Sequence, residues 1–578
     1  MSAEESLNYA IADIFDEMGQ ILEFQGENVF KIRAYYKAAQ VLRDLTEDIA
    51  ELARADRLNE LPGIGSELSK KITEFIQTGK MSAYEKLKSQ IPEGLLELME
   101  ISGLGPKTVA KLHKNLSIND INDLKKAVED GSLLTLPGIR EKTVKNIKRG
   151  IELFFIRRKR ILLGEALPLA EEIMDAVKKI KGVKHTDFAG SLRRMKETIG
   201  DIDILAIADN GLEVVKAFSE LPFVHNVLDV GETKGSILLE NGLQVDLRVL
   251  NEDEYGSALL YFTGSKEHNI HLRTLAKDRG LKISEYGIFR GEKWICGKTE
   301  QEMYEKLHMK WIPPELREDR GEIEVSLNDA LPELIKPSDI QGDLHIHSKW
   351  SDGKQSIEEI ANAAKKLGYK YIAICDHSQA VKVANGLSID RIKKQLDEID
   401  KLNEKLKGIT VLKGTEVDIK PNGELDFPDS ILEKLDVVVA AIHLGFKESK
   451  EQITNRIVRA IKHPYVDIIA HPTGRVINQR DPYAVDLELV IEKTAEYKKA
   501  LEINSYYDRL DLNDVNARKS ASKGVLLAIN TDAHKISELN MIRFGIAVAR
   551  RGWLTKKNVL NTFPLQQLKK FLDRKNRI

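Results

Sequence analysis

Cysteine, net charge and long apolar runs are all scarce in this sequence of 578 residues. The two cysteines, Cys296 and Cys375, lie far apart, which excludes a disulfide framework and a cysteine-rich zinc finger. A formal charge of -2 excludes a generally cationic surface, so nucleic-acid binding would require local basic patches. No apolar run approaches the roughly 20 residues that span a membrane, and the acidic start of the chain lacks a signal-peptide pattern. We expect a soluble, intracellular, cytoplasmic protein of about four domains with no membrane partner.

Three similar glycine-containing turns interrupt the helical spacing of residues 1 to 160. They are LPGIGSELSKKI at 61–72, ISGLGPKTVAKL at 101–112 and LPGIREKTVKNI at 136–147. Such a turn points unpaired amides at the start of a helix toward a phosphate, and glycine permits close approach of the backbone. An ordinary packing corner is the alternative for any one copy. The candidate DNA-backbone contacts are Gly63, Gly65, Gly103 and Gly105, whereas Arg140 replaces the second glycine in the third copy.

The segment AGSLRRMKETIGDIDIL at 189–205 joins a Gly-Ser turn to two aspartates at alternate positions of an apolar run. Alternation places Asp201 and Asp203 on one face of a strand, where they are close enough to hold a hard divalent cation. Gly190 and Ser191 offer backbone and hydroxyl donors to phosphates. This combination indicates nucleotidyl transfer.

A later strand, LQVDLRVL at 243–250, supplies a third carboxylate, Asp246. Three carboxylates suit two metal ions, of which one activates a hydroxyl nucleophile and the other holds a triphosphate. Asp-x-Asp alone is common on surface strands and at helix caps. A Gly-Ser turn, two arginines, Asp-x-Asp and Val-Asp-Leu-Arg in this order are much more specific.

From residue 341 onward, short apolar strands alternate with charged helices, which predicts a parallel sheet or barrel with its chemistry at the C-terminal ends of the strands. DLHIHSKWSDG at 343–353 places two histidines on one strand face. Candidate metal ligands lie at these strand ends, and they are His345, His347, Asp352, His377, Glu416, His443, His471, Asp532 and His534.

Six of the thirteen histidines belong to this set, and only His463 lies outside it after residue 341. A single buried histidine is more often a hydrogen-bonded core residue, but this concentration favours a metal cluster. Imidazoles mixed with carboxylates suit zinc, manganese or iron better than magnesium alone. Arg475, just after His471, is a candidate for a phosphate contact or for a salt bridge.

Residues 1–325 resemble the family X DNA polymerases, the group that contains polymerase beta. The resemblance rests on GSLRR, GDIDI, YFTGSKEHNIHLR at 261–273 and SEYGIF at 284–289. It implies that Asp201, Asp203 and Asp246 bind Mg²⁺ or Mn²⁺ and catalyse nucleotidyl transfer. The implied contacts to the incoming nucleotide or the nascent base pair are Gly190, Ser191, Arg194, Tyr261, Phe262, Gly264, Asn269 and Arg273. For the two aromatic residues, plain core packing is the alternative.

The first helical region is similar to the lyase domain of that family, which binds the 5'-phosphate of a gap. On that resemblance, Phe30 stacks on a template base, and Lys31 and Tyr35 lie near a phosphate. Lys71 aligns with the lysine that forms a Schiff base in lyase-active members, so it is a catalytic as well as a DNA-binding candidate. Glu67 stands where polymerase beta has a basic residue, and phosphate binding is therefore the default role of Lys71.

Residues 341–578 resemble the PHP phosphoesterase domain, which implies up to three Zn²⁺ or Mn²⁺ ions. The implied ligand sets are His345, His347, Glu416 and Asp532 for one ion, Glu416, His443 and His471 for a second, and Asp352, His377 and His534 for a third. No ligand of these sets is missing from the sequence. Metals held in this way activate water for displacement at phosphorus.

Together these resemblances identify the chain as a bacterial or archaeal family X DNA polymerase with a C-terminal PHP domain. The implied fold class is multidomain: an α-helical helix-hairpin-helix N-terminal region, an α+β nucleotidyltransferase palm with a thumb, and a C-terminal α/β PHP barrel, which is a distorted βα barrel. The expected domains are a lyase-like DNA-binding domain at 1–90, a helix-hairpin-helix fingers-type domain at 91–160, the palm at 161–260, the thumb at 261–325, a linker at 326–340 and the PHP domain at 341–578.

The implied function is the filling of short gaps in base excision repair, coupled to a PHP-domain 3'-5' exonuclease, abasic-site endonuclease or 3'-phosphatase. We expect a monomer whose partners are gapped or nicked DNA, dNTPs and other repair enzymes, and which associates with the nucleoid when it is on DNA. Two alternatives stay open: an end-processing phosphoesterase whose polymerase half only binds DNA, and a repair scaffold. The complete sets of ligands and carboxylates argue against the scaffold.

Overall fold

The computed structural model describes residues 7–43, 45, 49–99, 101, 104–136, 138–158 and 160–573. The chain divides into two compact units, Met1–Arg158 with Ala380–Ala384, and Lys159–Gln379 with Asn385–Ile578. Among the described residues, no helix combines the length and the hydropathy that a membrane crossing requires. Short 3-10 turns occur at Leu58–Glu60, Ser132–Thr135, Glu252–Glu254, Pro314–Leu316, Pro337–Asp339, Lys382–Ala384, Ile536–Met541, Lys556–Asn558 and Leu560–Thr562.

The first unit is built from helices over its described length. Apolar residues recur three and four positions apart, which places them on the buried face of each helix. Ile11, Phe15 and Ile72 belong to one apolar core, and Leu98 and Leu112 belong to another. The helices are α1 (Leu7–Phe24), α2 (Val29–Arg43), α3 (Ile49–Arg54), α4 (Ser66–Thr78), α5 (Ser82–Lys88), α6 (Glu93–Met99), α7 (Pro106–Leu116), α8 (Ile121–Glu129) and α9 (Glu141–Arg158).

The second unit begins with the palm segment, residues 161–260, which combines strands with helices. Its elements are β1 (Ile161–Leu162), α10 (Leu163–Lys178), β2 (Val183–Phe188), α11 (Gly190–Arg193), β3 (Thr198–Ile199), β4 (Asp201–Ala208), α12 (Gly211–Ser219), β5 (Asn226–Val230), β6 (Lys234–Leu238), β7 (Gln244–Leu250) and most of α13 (Tyr255–Thr263). Five of the strands form one sheet in the order β2-β4-β7-β6-β5. The β4–β7 pair is parallel, whereas β2 pairs with β4 and β6 pairs with β7 in antiparallel fashion.

The two faces of β4 have different environments. Ile202 and Ile204 are buried in the core that includes Ile173 of α10 and Phe218 of α12. Because side chains alternate along a strand, the residues at the intervening positions lie on the opposite face of the sheet. That face carries the two aspartates of the Asp-x-Asp motif.

The thumb segment, residues 261–325, packs around a second core of this unit, which includes Leu272, Ile288 and Tyr304. Its further elements are α14 (Lys266–Asp278), β8 (Lys282–Ser284), β9 (Gly287–Arg290), β10 (Lys293–Cys296), α15 (Glu300–Lys306) and α16 (Glu322–Leu327). The strands form an antiparallel sheet in the order β10-β9-β8. Arg317 is fully buried and donates to both carboxylate oxygens of Glu300, at 2.6 and 3.0 Å. Such pairing offsets the desolvation of both charges.

The barrel segment, residues 341–578, alternates strands with helices, as the sequence pattern predicts. Its elements are β11 (Gly342–Ile346), α17 (Ile357–Lys366), β12 (Tyr371–Ile374), α18 (Ile389–Lys405), β13 (Thr410–Asp418), α19 (Asp429–Leu432), β14 (Val437–Ala441), α20 (Lys450–Lys462), β15 (Ile468–Ile469), α21 (Leu487–Glu496), β16 (Ala500–Asn504), α22 (Asp514–Ser522), β17 (Leu526–Asn530), α23 (Ile542–Arg551) and α24 (Leu565–Leu572).

The seven strands of this segment are parallel and adjacent in sequence order. A parallel bridge between Ile346 and Ala533 brings the first strand next to the end of the last, so the sheet is nearly a closed barrel. The strands are buried almost throughout, as in sheets covered on both faces. Parallel order gathers the C-terminal ends of all the strands at one end of the barrel.

Residues 326–340, expected to form a linker, have little regular structure, and some of them are exposed, but Leu334, Ile335 and Ile340 are buried. Ile335 is fully buried, and its amide donates to the carbonyl of Leu554 at 3.0 Å. Leu334 packs in the thumb core. The linker prediction rests on Pro332 and Pro337, which interrupt regular structure. Parts of the segment nevertheless pack in the core. The helical N-terminal region and the nearly closed parallel barrel agree with the predicted fold class.

Candidate active sites

The three palm aspartates lie on neighbouring parallel strands. Asp203 of β4 is the direct partner of Asp246 of β7, and Leu205 is the partner of Arg248. Asp201 lies two residues before Asp203 and therefore on the same face of β4. The alternation in the two sequence motifs thus predicts correctly which side chains share a face.

The palm carboxylates repel one another. Burial and the charges of Asp201 and Asp246 raise the pKa of Asp203 to about 7. Burial and Asp246 also raise the pKa of Asp201, although the guanidinium of Arg160 opposes this shift. A divalent cation between the carboxylates would reverse the repulsion, since it favours the ionised form of each.

Asp246 is held in place by its own strand and by the next one. Ser236 Oγ and Gln244 Nε2 both donate to Oδ1 of Asp246, the latter at 3.0 Å. Oxygen ligands of this kind fit Mg²⁺ or Mn²⁺. Among the described residues, groups of ligand atoms that all lie within 4.8 Å of one another occur in the barrel, and the palm aspartates do not form such a group.

The phosphate-binding turn predicted at 190–194 forms α11 and the residue that follows it. Gly190 has φ +60°, and a Cβ there would collide with the carboxylate of Asp203. Ser191 Oγ is buried without a hydrogen-bond partner in the described part of the chain. Arg194 donates from Nε to Glu318 of the thumb at 3.0 Å. The turn therefore brings Gly190, Ser191 and Arg194 to the edge of the aspartate face.

The predicted nucleotide contacts of the thumb surround the same edge. Tyr261 and Phe262 are half-buried with their ring centroids 5.1 Å apart, and the Arg248 guanidinium lies 4.2 Å from the Phe262 ring. Asn269 Nδ2 donates to the carbonyl of Tyr261 at 2.7 Å, and Arg273 donates from Nε to the carbonyl of Asn269 at 3.3 Å. Gly264 lies beside Arg194, whose Nη1 would be 3.1 Å from a Cβ at this position.

The predicted lyase-type residues lie in α2 and α4 of the first unit. Phe30 is 80% exposed, whereas Tyr35 is buried. Lys71 Nζ lies 2.6 Å from Glu67 and 6.0 Å from the centre of the Tyr35 ring. Burial raises the pKa of the Tyr35 hydroxyl, and Lys71 partly offsets this rise. Lys31 pairs with Glu27 at 3.7 Å, so each lysine pairs with a carboxylate four residues earlier in the sequence.

The structure describes the first predicted helix-hairpin-helix turn in full and parts of the second and third. Gly63 has φ +89°, and Gly65 is the N-cap of α4. Gly105 is the N-cap of α7, while Gly103 lies outside the described residues. Neither N-cap glycine offers a side chain to the first amides of its helix. Those amides have no intrahelical partner and are suited to phosphate oxygens.

All nine predicted barrel ligands lie at the C-terminal ends of strands or in the loops that follow. Their positions are His345 in β11, His347 and Asp352 after it, His377 after β12, Glu416 in β13, His443 after β14, His471 after β15, and Asp532 and His534 after β17. Three groups of these side chains have ligand atoms within 4.8 Å of one another: His347, Asp352, His377 and His534; His345, His347 and Asp532; and His377, Glu416 and His443.

Within each expected ligand set, the candidate ligand atoms lie close to one another. Glu416 Oε1 is 3.2 Å from His443 Nε2 and 3.0 Å from His471 Nε2. Asp532 Oδ1 is 3.0 Å from His347 Nε2 and 3.7 Å from His345 Nε2. In the third set, Asp352 Oδ2 is 3.6 Å from His377 Nε2 and 3.3 Å from His534 Nε2. The carboxylate of Glu416 lies between the first two sets, as a bridging ligand would.

Imidazoles and carboxylates shift one another's pKa values in this cluster. Burial and the neighbouring imidazoles of His534 and His377 lower the pKa of His347 to about 3, so this ring is neutral. Burial alone would raise the pKa of Glu416, but His443 and His377 lower it well below its ordinary value. His347 Nδ1 is buried without a hydrogen-bond partner among the described residues, and His377 Nδ1 lies 2.8 Å from Glu416 Oε2. Against the effect of burial, neighbouring carboxylates raise the pKa of His345, that of His443 to about 10 and that of His534 to about 9. A divalent ion such as Zn²⁺ or Mn²⁺ would offset this by favouring the neutral rings, and the mixture of imidazoles and carboxylates fits such ions.

Two carboxylates that the sequence reasoning missed hold these ligands. Glu502, in β16, accepts from His345 Nδ1 and from the amide of His471, each at 2.8 Å. Asp418, at the end of β13, accepts from His443 Nδ1 at 3.1 Å. Such partners fix the tautomer and orientation of a metal-binding histidine. For Glu502, the signal in the sequence was an acidic residue within the largely apolar segment ALEIN at 500–504. A fully buried carboxylate needs a partner.

Arg475 forms a salt bridge, the second of the two roles considered for it. Its guanidinium donates to both oxygens of Glu197 in the palm segment, at 3.3 and 2.7 Å. It also donates to the carbonyl of Leu510 at 2.6 Å. Arg475 therefore joins the loop after His471 to the loop before Asp201.

Comparison with known families and proteins agrees with this arrangement. The profile of a helix-hairpin-helix domain matches residues 6–81, a SAM-like helix-hairpin-helix tandem matches 95–152, the DNA polymerase beta thumb matches 258–318, and the PHP domain matches 343–507. The DNA polymerase/3'-5' exonuclease PolX of Bacillus subtilis (strain 168) is 40% identical over 568 residues, which are 98% of this chain and 99% of the relative.

Two further relatives match parts of the chain. A probable phosphatase of Thermoanaerobacter sp. (strain X514) is 34% identical over 246 residues, 41% of this chain and 95% of its own length. DNA polymerase lambda of Arabidopsis thaliana is 26% identical over 347 residues, 54% of this chain and 62% of its own length. The resemblance inferred from the motifs is confirmed by the match over the full length: the chain belongs to the family X DNA polymerases, with helix-hairpin-helix, thumb and PHP domains.

Proposed function

We propose that this enzyme fills short gaps in DNA and trims DNA 3' ends, with nucleotidyl transfer in the palm and phosphodiester hydrolysis at the barrel. The Bacillus subtilis relative is a DNA polymerase/3'-5' exonuclease. The observation that carries the proposal is the presence of two separate ligand sets in one chain. One set consists of Asp201, Asp203 and Asp246, of which the last two are direct partners across β4 and β7. The other is the histidine and carboxylate cluster of the barrel.

In the palm, we assign Asp201, Asp203 and Asp246 to Mg²⁺ or Mn²⁺. Bound there, such ions activate the primer hydroxyl and neutralise charge on the triphosphate. The unpartnered Ser191 hydroxyl and the Arg194 guanidinium would bind phosphate oxygens. The half-buried Tyr261 and Phe262 and the nearby Asn269 and Arg273 would contact the sugar, the nascent base pair or the template.

In the barrel, we assign the nine clustered side chains to as many as three Zn²⁺ or Mn²⁺ ions. Bound there, the ions activate water and stabilise charge on the phosphoryl group. The chain's own part is orientation: Glu502 and Asp418 hold His345 and His443 through their Nδ1 atoms. The neutral state of His347 keeps its nitrogens available as ligands.

The proposed substrate is gapped or nicked DNA with dNTPs, in base excision repair. The exposed Phe30, the lysine Lys71 and the two described N-cap glycines would bind the template and the 5' side of the gap. We assign 3'-5' exonuclease activity to the barrel first, with abasic-site endonuclease and 3'-phosphatase activity as further reactions of the same cluster. The enzyme would act as a monomer with other repair enzymes in the cytoplasm, at the nucleoid.

The test uses end-labelled DNA with a one-nucleotide gap and a 5'-phosphate, dNTPs, and either Mg²⁺ or Mn²⁺. Wild type, Asp203→Ala and His347→Ala are compared on a denaturing gel. Extension should disappear only in Asp203→Ala, and 3' shortening only in His347→Ala. Extension that survives in Asp203→Ala would refute the palm assignment, and shortening that survives in His347→Ala would refute the barrel assignment.

A further inference from the structure

A largely buried carboxylate, Glu318, links the phosphate-binding turn to the barrel. Glu318 Oε1 accepts from Arg194 Nε at 3.0 Å and from Arg551 Nη1 at 3.0 Å. Arg194 belongs to the palm, whereas Arg551 is the last residue of α23 in the barrel segment, 233 residues after Glu318. Arg551 Nη1 also donates to the backbone carbonyl of Arg194 at 2.7 Å. Arg551 therefore contacts both the backbone of the phosphate-binding turn and Glu318, the carboxylate that pairs with Arg194.

Further charges complete this network. Asp514, at the start of α22, accepts from Arg551 Nη2 at 2.9 Å and from Arg320 Nη1 at 3.0 Å. Lys196 Nζ lies 3.7 Å from Glu318. The two carboxylates thus face four cations, Arg194, Lys196, Arg320 and Arg551. Burial would raise the pKa of Glu318 and of Asp514, but these cations lower both values. Both acids are therefore ionised, and the four cations outnumber the two carboxylates.

The network borders an open space beside the turn. A cavity of about 480 Å³ is lined by Ser191, Arg194, Lys196, Arg320, Asp514 and Arg551, among others. Ser191 and Arg194 are the residues that the proposed function assigns to the triphosphate. Side chains of the barrel therefore form part of the wall around the proposed phosphate site.

A second bridge fixes the same loop farther along. Glu197 lies between Arg194 and Asp201, and it pairs with Arg475 of the barrel through two hydrogen bonds. By contrast, Arg543 of α23 pairs with Glu171 of α10 at 3.2 Å, with both side chains about half exposed. Exposed pairs of this kind contribute little, so this contact serves as a matched reference for the buried bridge at Arg551.

We propose that Arg551 is a positioning residue for nucleotide binding, through which the barrel keeps Arg194 available to the triphosphate; this rests on the proposed function of Arg194. Arg194 is held by Glu318 when no phosphate is near. When the triphosphate binds the Arg194 guanidinium instead, Glu318 keeps a hydrogen-bonded cationic partner because Arg551 remains. Without Arg551, release of Arg194 would leave Glu318 buried with only Lys196 nearby, so Arg194 would stay bound to Glu318.

The test measures dNTP insertion into gapped DNA by Arg551→Met, with Arg543→Met as the matched control. We expect the dNTP KM of Arg551→Met to rise about tenfold or more, since an interaction with a charged group is lost, while kcat changes less and 3'-5' hydrolysis stays at the wild-type rate. Arg551→Lys should show a smaller rise, because lysine keeps the charge but not the multiple donors of the guanidinium. Arg543→Met should match wild type.

A second variant separates positioning from simple loss of packing. In Glu318→Gln/Arg551→Met no carboxylate competes for Arg194, so the dNTP KM should return toward that of wild type. An unchanged KM in Arg551→Met with intact hydrolysis, or a parallel loss of both activities, would overturn the proposal. If Arg194→Met leaves the dNTP KM unchanged, or wild type inserts no nucleotide, the proposed function of the palm fails instead.

Discussion

Gly190 lies directly against the carboxylate of Asp203, so closely that a Cβ at residue 190 would collide with Oδ2. The two segments are also joined through the backbone, because the amide of Ala189 donates to the carbonyl of Asp203 at 2.9 Å. The phosphate-binding turn and the aspartate strand are therefore built against each other. Residue 190 must be glycine for two reasons: a side chain would collide with Asp203, and its φ of +60° is unfavourable for other residues.

We predict that Gly190→Ala displaces Asp203 and lowers the rate of nucleotide insertion by about a hundredfold, the effect of misplacing a reacting group by roughly 1 Å. Single-turnover insertion into gapped DNA measures this. Gly242→Ala is the matched control, because Gly242 also has positive φ, +79°, but no atom within 4 Å of its Cβ position. Equal losses in the two variants would mean that backbone strain, not the collision, is responsible.

We predict that the palm binds Mg²⁺ more weakly as the pH falls through 7. Burial and the charges of Asp201 and Asp246 raise the pKa of Asp203 to about 7. Below that pH the carboxyl is protonated and neutral, so metal binding must displace a proton, while above it the carboxylate is already charged. The Mg²⁺ concentration for half-maximal insertion should rise about tenfold from pH 8 to pH 6, as the ionised fraction of Asp203 falls. The His347→Ala variant is used so that exonuclease does not shorten the primer, and a constant Mg²⁺ requirement from pH 8 to 6 contradicts the prediction.

We predict that Glu502→Gln weakens metal binding in the barrel by about 10- to 100-fold without removing a ligand. Glu502 accepts from both His345 and the amide of His471, and an amide would turn a donor toward one of them. The Mn²⁺ concentration for half-maximal 3'-5' hydrolysis measures the change, and nucleotide insertion should be unaffected. Glu496→Gln, exposed at the end of α21, is the control. A loss of hydrolysis that high Mn²⁺ does not restore would exclude a positioning role.

The candidate metal ligands of the barrel could be predicted from the sequence because they lie at or after the ends of short apolar strands, as with His345 or His443, and parallel strands bring their ends together. Glu502 was harder to find because it lies inside the strand, where local pattern does not reveal which acid meets an imidazole. The bridge from Arg551 to Glu318 has no local signature, since its residues are 233 positions apart. Leu334 and Ile335 were assigned to a linker because nearby prolines indicate an irregular chain, and irregular chain can still be buried.

We predict that Phe30→Ala weakens binding to gapped DNA by about 5- to 150-fold, which corresponds to the roughly 1–3 kcal/mol of stacking on one base. Phe30 is 80% exposed, so its removal should leave folding intact. Titration of gapped DNA at fixed salt measures the affinity. Val29→Ala is the control, because the neighbouring Val29 is also exposed, at 54%, but offers no ring. Equal effects of the two substitutions would exclude stacking.

We predict that Lys71 binds the 5'-phosphate of the gap and does not form a Schiff base. Its ammonium lies 2.6 Å from the Glu67 carboxylate, and Lys71 lowers the pKa of that carboxyl through a hydrogen bond and its charge. A stable ion pair suits a phosphate-binding cation, whereas a nucleophilic amine must be neutral. Lys71→Ala should reduce the preference for a 5'-phosphate over a 5'-hydroxyl by about tenfold, and Lys70→Ala, exposed on the same helix, should not. Borohydride should trap no adduct between wild type and an abasic 5' end. A trapped adduct that disappears in Lys71→Ala would instead establish the lyase role, with Glu67 as a group that must move away from the amine before it reacts.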